Sequence, residues 1–258
     1  MPDGRDGRTR ARGDRLTDRE IAALVARIEQ GRDRFDDALD DRLKQAVLRE
    51  PWGEVNVADF LDDFQESIDR MEERLKPGYA ASAEAAALLR QASAIDGFFR
   101  RQPPGIRGES EWNRLARDLT ALAAAYGSEF PLPENVVVRR ASDGEVASTT
   151  ETIGRAAERV KKSLERELKA DVTIDKSKRD AIVGQAERLE KDAKLLRSRL
   201  KDSRPSSAEA EQLLAHAAAL QATLAGHRVP VSLNAWTPLA TAARDLAAAY
   251  RMPWPPAR

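Results

Sequence analysis

Side chains able to hold a metal, attack a carbonyl or cradle a phosphate are few in this sequence, and their spacing decides what they can do. Only two histidines occur, His216 and His227. A di-iron site in a helical bundle needs a Glu-x-x-His motif on each of two helices, and neither histidine has Glu three residues before it. A helical zinc site of the H-E-x-x-H type needs a histidine pair four residues apart, which these two do not form. His216 is expected instead at a partly exposed helix position. With no cysteine in the chain there is no thiolate ligand, no thiol nucleophile and no disulfide. Asp36-Asp37 with Asp40-Asp41 offers oxygens to a hard cation. A regular helix, however, presents them as an outward patch, and the turn glycine of an EF-hand is missing. No G-x-x-x-x-G-K-(S/T) loop is present, and no G-x-G-x-x-G follows a strand pattern. Arg139-Arg140-Ala141-Ser142 matches a short basophilic phosphorylation pattern, one that arises often by chance. The expectation is a protein with no catalytic residue, no metal and no cofactor.

Composition narrows the class further. The chain has 258 residues, 43 Lys+Arg against 43 Asp+Glu, 41% hydrophobic and 33% charged residues. That is enough apolar material for a core beneath an unusually charged surface. A formal charge of zero argues against the whole chain being a polyanion binder, so nucleic acid is not an expected partner. No stretch approaches the roughly 18 apolar residues that cross a bilayer. The opening MPDGRDGRTRARGDRLTDRE lacks the apolar segment of a secretory signal, which makes the cytoplasm the default expectation.

The elements that position these side chains repeat along the chain. SAEAAALLRQASAI over 82–95 matches SAEAEQLLAHAAAL over 207–220 at an offset of 125 residues. WNRLARDLTALAAAYGSEFP from Trp112 matches WTPLATAARDLAAAYRMPWP from Trp236 at an offset of 124. Both of the latter obey Trp-x2-Leu-Ala-x5-Leu-Ala-Ala-Ala-Tyr-x3-(Phe/Trp)-Pro. The order of the blocks is kept, and their Trp, Tyr and aromatic-Pro positions use residues rare in this chain. The sequence therefore predicts an all-α fold of two tandem, related four-helix units over 17–131 and 148–258. A linker over 132–147 joins them, and a disordered tail rich in Arg, Asp and Gly precedes them over 1–16.

In the first unit, Thr17-Asp18-Arg19-Glu20 reads as a capping box. It opens a helix whose apolar residues, Ile21, Leu24, Val25, Ile28, Phe35, Leu39 and Leu43, keep helical spacing to about Arg49, with Pro51 and Gly53 ending it. The second helix carries Phe60, Leu61, Phe64, Ile68, Met71 and Leu75, and Pro77-Gly78 closes it. Ser82 caps the third. The fourth runs from about Ser110 to Tyr126, with Gly127 as its stop. In the second unit, Ser148-Thr149-Thr150-Glu151 reads as a capping box. Ile182, Ala186, Leu189, Ala193, Leu196 and Leu200 then step by four and three along one seam. Helices of this kind pack as an antiparallel bundle. Val136-Val137-Val138 is the one plausible strand.

Two kinds of candidate site follow. Trp112 and Tyr126, with Trp236 and Tyr250 in the repeat, lie on one side of the last helix of each unit. They are expected as core plugs with polar tips at the rim, the alternative being the lining of a pocket for a small apolar ligand or lipid. Charge supplies the second kind. Residues 34–74 hold 13 Asp+Glu against 6 Lys+Arg, and residues 148–204 hold 16 Lys+Arg against 11 Asp+Glu. On a helical wheel Asp59, Asp62, Asp63, Glu66, Asp69 and Glu73 form a face opposite the apolar stripe. Arg188, Lys191, Lys194, Arg197 and Lys201 make a candidate basic face, interleaved with Glu187, Glu190 and Asp192. The plainest reading of both is solvated helix surface laced with i,i+4 pairs. The functional expectation is a non-enzymatic scaffold or interaction module that meets a protein partner, or another copy of itself, through such faces.

Overall fold

The computed structural model describes residues 15–50, 53–76, 78–102, 104–133, 135–170, 174–227 and 233–255. Among them helix dominates. The elements in chain order are α1 (Asp18–Ala38), α2 (Asp41–Lys44), β1 (Val47–Glu50), β2 (Gly53–Asn56), α3 (Val57–Arg74), α4 (Ser82–Arg100) and α5 (Glu109–Ala125). After these come α6 (Asp143–Ala170), α7 (Lys176–Lys201), α8 (Ser207–His227) and α9 (Leu233–Ala249). No helix is long and apolar enough among the described residues to cross a membrane. The chain divides into two compact units. Asp18–Ser142 forms one, and Asp143–Arg258 together with the chain through Thr17 forms the other.

In the N-terminal unit α1 packs on α3 and α5, and α4 packs on both of those as well. The apolar periodicity turns inward on every helix: Ile21, Leu24, Val25, Ile28 and Phe35 of α1 meet Phe64, Ile68, Leu88, Leu89, Leu115 and Leu119, all buried. Gly31 lets α1 lie close against α5, since a Cβ there would lie 3.0 Å from Leu115 Cδ1. In the C-terminal unit α6 packs on α7 and α9, and α8 packs on the same two. The seam of Ile182, Ala186, Leu189, Ala193, Leu196 and Leu200 is buried along its whole length. Burying a side chain the size of Leu removes it from water at a gain of roughly 1.5–3 kcal/mol.

Four local expectations are corrected. The first helix does not continue to Arg49: α1 stops at Ala38, and Asp40 starts α2 by accepting a bond from Leu43 N–H at 2.9 Å on its side chain. A short polar side chain that can satisfy backbone donors itself competes with helix continuation. Residues 47–56 then form an antiparallel ribbon with Val47 opposite Asn56 and Leu48 opposite Val55. Leu48 is buried in that ribbon. Val136–Val138, the one plausible strand and too short to support a sheet, has no regular structure. The helix expected to start at Ser148 starts at Asp143 instead. Inside it, Thr149, Thr150 and Thr152 donate their hydroxyls back to the carbonyls of Glu145, Val146 and Ser148. At α4 the N-cap is Ala81 in a left-handed conformation, with Ser82 the first helical residue. Part of the tail is corrected too, because Arg15 and Leu16 are placed in the C-terminal unit. The rest of the expected tail, along with Pro51, Pro77 and the His227 side chain, lies outside the described residues.

Helix ends share one device. After α5, Gly127 at φ +80° lets Ser128 N–H reach Ala123 O at 2.9 Å and Gly127 N–H reach Ala124 O at 3.2 Å. This is a Schellman motif, which needs a left-handed residue just past the helix. After α7 the same bonds form with Ser203 in that role at φ +48°. A residue with a Cβ is disfavoured there, so Ser203→Gly is expected to stabilise the C-terminal unit by about 1 kcal/mol in thermal unfolding. Leu189→Asp, which buries a lone carboxylate in the α7 seam, is expected to unfold that unit, with loss of its helical circular dichroism.

Candidate functional site

Two surfaces and two buried clusters concentrate the chemistry of this chain. The first surface is the outer face of α3. Asn56 starts the helix by accepting a bond from Asp59 N–H at 2.8 Å and donating to Asp59 Oδ2 at 2.6 Å. Val57, Phe60, Leu61, Phe64, Ile68 and Met71 fill the inner face and are buried. The six acids Asp59, Asp62, Asp63, Glu66, Asp69 and Glu73 therefore all point to solvent and are exposed. Arg32 reaches Asp62 at 3.5 Å and Arg70 reaches Glu66 at 3.7 Å. Asp63 and Glu73 make no ion pair among the described residues. Beside this face, partial burial raises the Glu72 carboxyl, and the charges of Glu29 and Asp69 push it the same way. The face has surplus negative charge in water, a surface that attracts cationic side chains over a Debye length of about 10 Å.

The second surface, on α7, differs in kind. Arg188, Lys191, Lys194 and Lys201 are exposed and Arg197 is half-buried. Two of the five, Lys194 and Arg197, are ion-paired within the unit, and carboxylates lie interleaved among the others. Lys194 bonds Glu190 at 2.6 Å, and Arg197 bonds Glu151 of α6 at 2.8 Å. Lys161 bonds Glu187 at 2.6 Å and Lys162 bonds Glu158 at 2.7 Å, while Arg155 also pairs with Glu151. Hydrogen bonds from Arg155, Lys162 and Lys161 hold Glu151, Glu158 and Glu187 below the usual carboxylate range. A groove of about 200 Å³ runs between these helices where Gly154 faces Ala193. Each of its lining carboxylates is paired: Glu151 with Arg155 and Arg197, Glu158 with Lys162, and Glu190 with Lys194. This is a ladder joining α6 to α7, and it offers no continuous cationic stripe.

The aromatic positions resolve differently in the two units. Trp112 is 2% exposed. It stacks on Phe99 at 6.1 Å, tilts against Phe35 at 5.3 Å, and donates its indole N–H to Asp96 Oδ1 at 3.1 Å. Asp96 also accepts from Arg100 Nε at 2.5 Å, so its buried carboxylate is used on both oxygens. Trp236 is only half-buried. The tyrosines agree with one another: each is 1% exposed and hydrogen-bonded at its hydroxyl. Tyr126 donates to Ala80 O at 2.5 Å, and the Tyr250 hydroxyl lies 2.7 Å from that of Ser206. Burial raises both phenols, with the nearby cations Arg140 and Arg15 acting the opposite way.

Beside each tyrosine lies a buried arginine: Arg15, expected in the tail, and Arg140, expected in a phosphorylation pattern. Arg15 Nη1 bonds Asp143 Oδ1 at 2.5 Å in the C-terminal unit, and Arg140 Nη2 bonds Asp18 Oδ1 at 2.7 Å in the N-terminal unit. Ser142 is fully buried, which removes it as an accessible phosphorylation site. The available signal was Arg15-Leu16-Thr17-Asp18-Arg19-Glu20 against Arg140-Ala141-Ser142-Asp143-Gly144-Glu145, an offset of 125 residues that extends the repeat.

The remaining polar candidates serve local structure. Asp36 pairs with Lys44 at 2.7 Å, and Asp40 caps α2. His216 is half-buried, with Nδ1 2.5 Å from Asp192 Oδ2, tying α8 to α7. No group of three or more His, Cys, Asp or Glu able to hold a metal ion occurs among the described residues. Comparison with protein-family models, with curated proteins and with solved structures gives no match. The fold and these surfaces define a mostly helical protein and carry no family assignment.

Tyr126 and Tyr250 are neutral in the fold with raised phenol pKa values, so their contribution to stability is complete below the unfolded value of about 10 and is lost as pH rises through the folded one. In an alkaline titration, the tyrosinate absorbance of these two is expected to appear together with loss of helical circular dichroism. Asp96→Ala leaves the Trp112 indole N–H buried without an acceptor and is expected to cost about 1–3 kcal/mol in denaturant unfolding.

Proposed function

We propose that this chain is a non-enzymatic helical scaffold, two related four-helix units descended from one internal duplication, that meets protein partners through charged helix faces. The acidic face of α3 is the contact surface, and its partner is a basic protein surface. The carrying observation is the disposition of α3: its apolar stripe is consumed by the core, while Asp59, Asp62, Asp63, Glu66, Asp69 and Glu73 stand in solvent with few cations beside them. Complementary charge steers association and fixes register. The ladder on α6 and α7, with both signs interleaved and partly paired, is a poorer contact.

Several correspondences support the duplication. Arg15 and Arg140, Asp18 and Asp143, and Ser82 and Ser207 keep both a spacing of 125 residues and their bonding, and Tyr126 and Tyr250, 124 apart, are each buried just past a helix. Trp112 and Trp236 differ in burial, in keeping with the loss of the ring partners: Phe35 and Phe99 align with Val160 and Leu224 at the offset of 125. The rival reading, a pocket for an apolar ligand beside the tryptophans, is weakened by Phe35 and Phe99 lying against Trp112.

The test is reversal of charge on the face. A chain carrying Asp62→Lys, Asp63→Lys and Glu66→Lys is expected to keep its helical circular dichroism, since these side chains are outside the core. Crosslinking in the native host at low salt is expected to capture a basic protein with the parent chain and to lose it with the reversed one. Capture of the same proteins by both chains would reject the α3 face as the contact.

A further inference from the structure

Each unit holds one arginine in the same way. In the C-terminal unit Arg15 places its guanidinium on Asp143 at 2.5 Å, with Cζ 5.8 Å from the centroid of the Tyr250 ring. Its backbone N–H donates to Ser207 Oγ at 3.3 Å. The Arg15 side chain is 5% exposed. In the N-terminal unit the Arg140 guanidinium sits on Asp18 at 2.7 Å beside Tyr126, and its backbone N–H donates to Ser82 Oγ, again at 3.3 Å. Both slots are built from the same parts: an aspartate in the first turn of one helix, a serine opening another, and a buried tyrosine just past a third.

The chemistry of this set selects one kind of ligand. Asp143 takes a cation, the Tyr250 ring favours a flat, weakly hydrated one over its face, and Ser207 Oγ accepts a peptide N–H from the same residue. Those three demands describe an arginine within a polypeptide. Lysine meets the charge alone, and a free guanidinium lacks the peptide donor. The occupant comes from far along the chain: Arg15 and Asp143 are 128 residues apart, and Arg15 and Ser207 are 192 apart.

We propose that Asp143, Tyr250 and Ser207 form a binding site for a peptide-borne arginine, that Arg15 is its resident ligand supplied by the chain itself, and that the vacated site takes an arginine-bearing segment of another protein. A segment with the spacing Arg-x-(Ser/Thr)-Asp, present at both Arg15 and Arg140, is the natural sequence class. The arginine segment is a ligand delivered in cis, so displacing or cleaving it converts a closed unit into a receptive one.

Amide hydrogen exchange on the full-length chain tests this. Arg15→Ala is expected to speed exchange at least tenfold in the first turns of α6 and α8 and around Tyr250, and to leave α3 and α4 unchanged. The capped peptide Gly-Asp-Arg-Leu-Thr-Asp, residues 13–18 of this chain, is expected at millimolar concentration to restore that protection. The same peptide with Lys for Arg is expected to fail, as is the parent peptide added to the Arg15→Ala, Asp143→Asn chain. Should Arg15→Ala not fold, Arg15→Lys provides the measurement: the slot is then expected to be partly open and to be closed by the arginine peptide. Unchanged exchange in both Arg15 variants would overturn the proposal, as would protection that ignores Asp143 or the identity of the peptide's basic residue.

Discussion

A helix with one apolar stripe must cover that stripe, and in this chain the whole surface follows from how the stripes are covered. α3 spends Phe60, Leu61, Phe64, Ile68 and Met71 on the core, and α7 spends Leu189, Leu196 and Leu200. Once those contacts are made, each helix has a polar remainder whose composition is free to vary. On α3 the remainder is mostly carboxylate, with Arg70 and Arg74 among it. On α7 it is a mixture of signs that pairs with α6. The two faces thus acquire different characters, one with carboxylates in excess and the other with both signs interleaved and partly paired, although the same packing rule produced both.

Burial also decides which polar groups the interior admits. Asp96 is accepted beneath the surface because Trp112 and Arg100 use its two oxygens. The arginines at 15 and 140 are accepted because a carboxylate meets each guanidinium and a serine hydroxyl meets each backbone N–H. Buried polar groups tied to specific partners limit the arrangements a helical core can adopt, whereas aliphatic contacts tolerate sliding.

Much of this was legible in the sequence where many residues vote together. The stripes of α3 and α7 are set by periodicity repeated over several turns, and the stop after α5 is set by Gly127. Legibility ended where a single side chain decides. Asp40 turns the chain out of α1 into α2 and a β-ribbon, against a pattern of Phe35, Leu39 and Leu43 that reads as continuous helix. Ser142 precedes the helix start that Ser148-Thr149-Thr150-Glu151 imitates, and the imitation fails because hydroxyls inside a helix can bond backward to carbonyls. Arg15 looked like part of a polar tail, since its neighbours in sequence are charged and its partners, Asp143, Ser207 and Tyr250, lie beyond any local window. The α3 acids were visible on a wheel, whereas the pairing of Arg197 with Glu151 needed the geometry of α6.

The placement of Arg15 has a consequence for biosynthesis. The unit it completes is otherwise built from Asp143 onward, so Arg15 is synthesised 128 residues ahead of Asp143, the first of its partners. Until α8 and α9 have emerged, Ser207 and Tyr250 do not exist for it to meet. The N-terminal unit is under no such delay, because Asp18 through Ser142 are continuous in sequence. Closing so long a loop is an entropic and kinetic demand that local helix formation does not share, and it falls on the short stretch around Arg15.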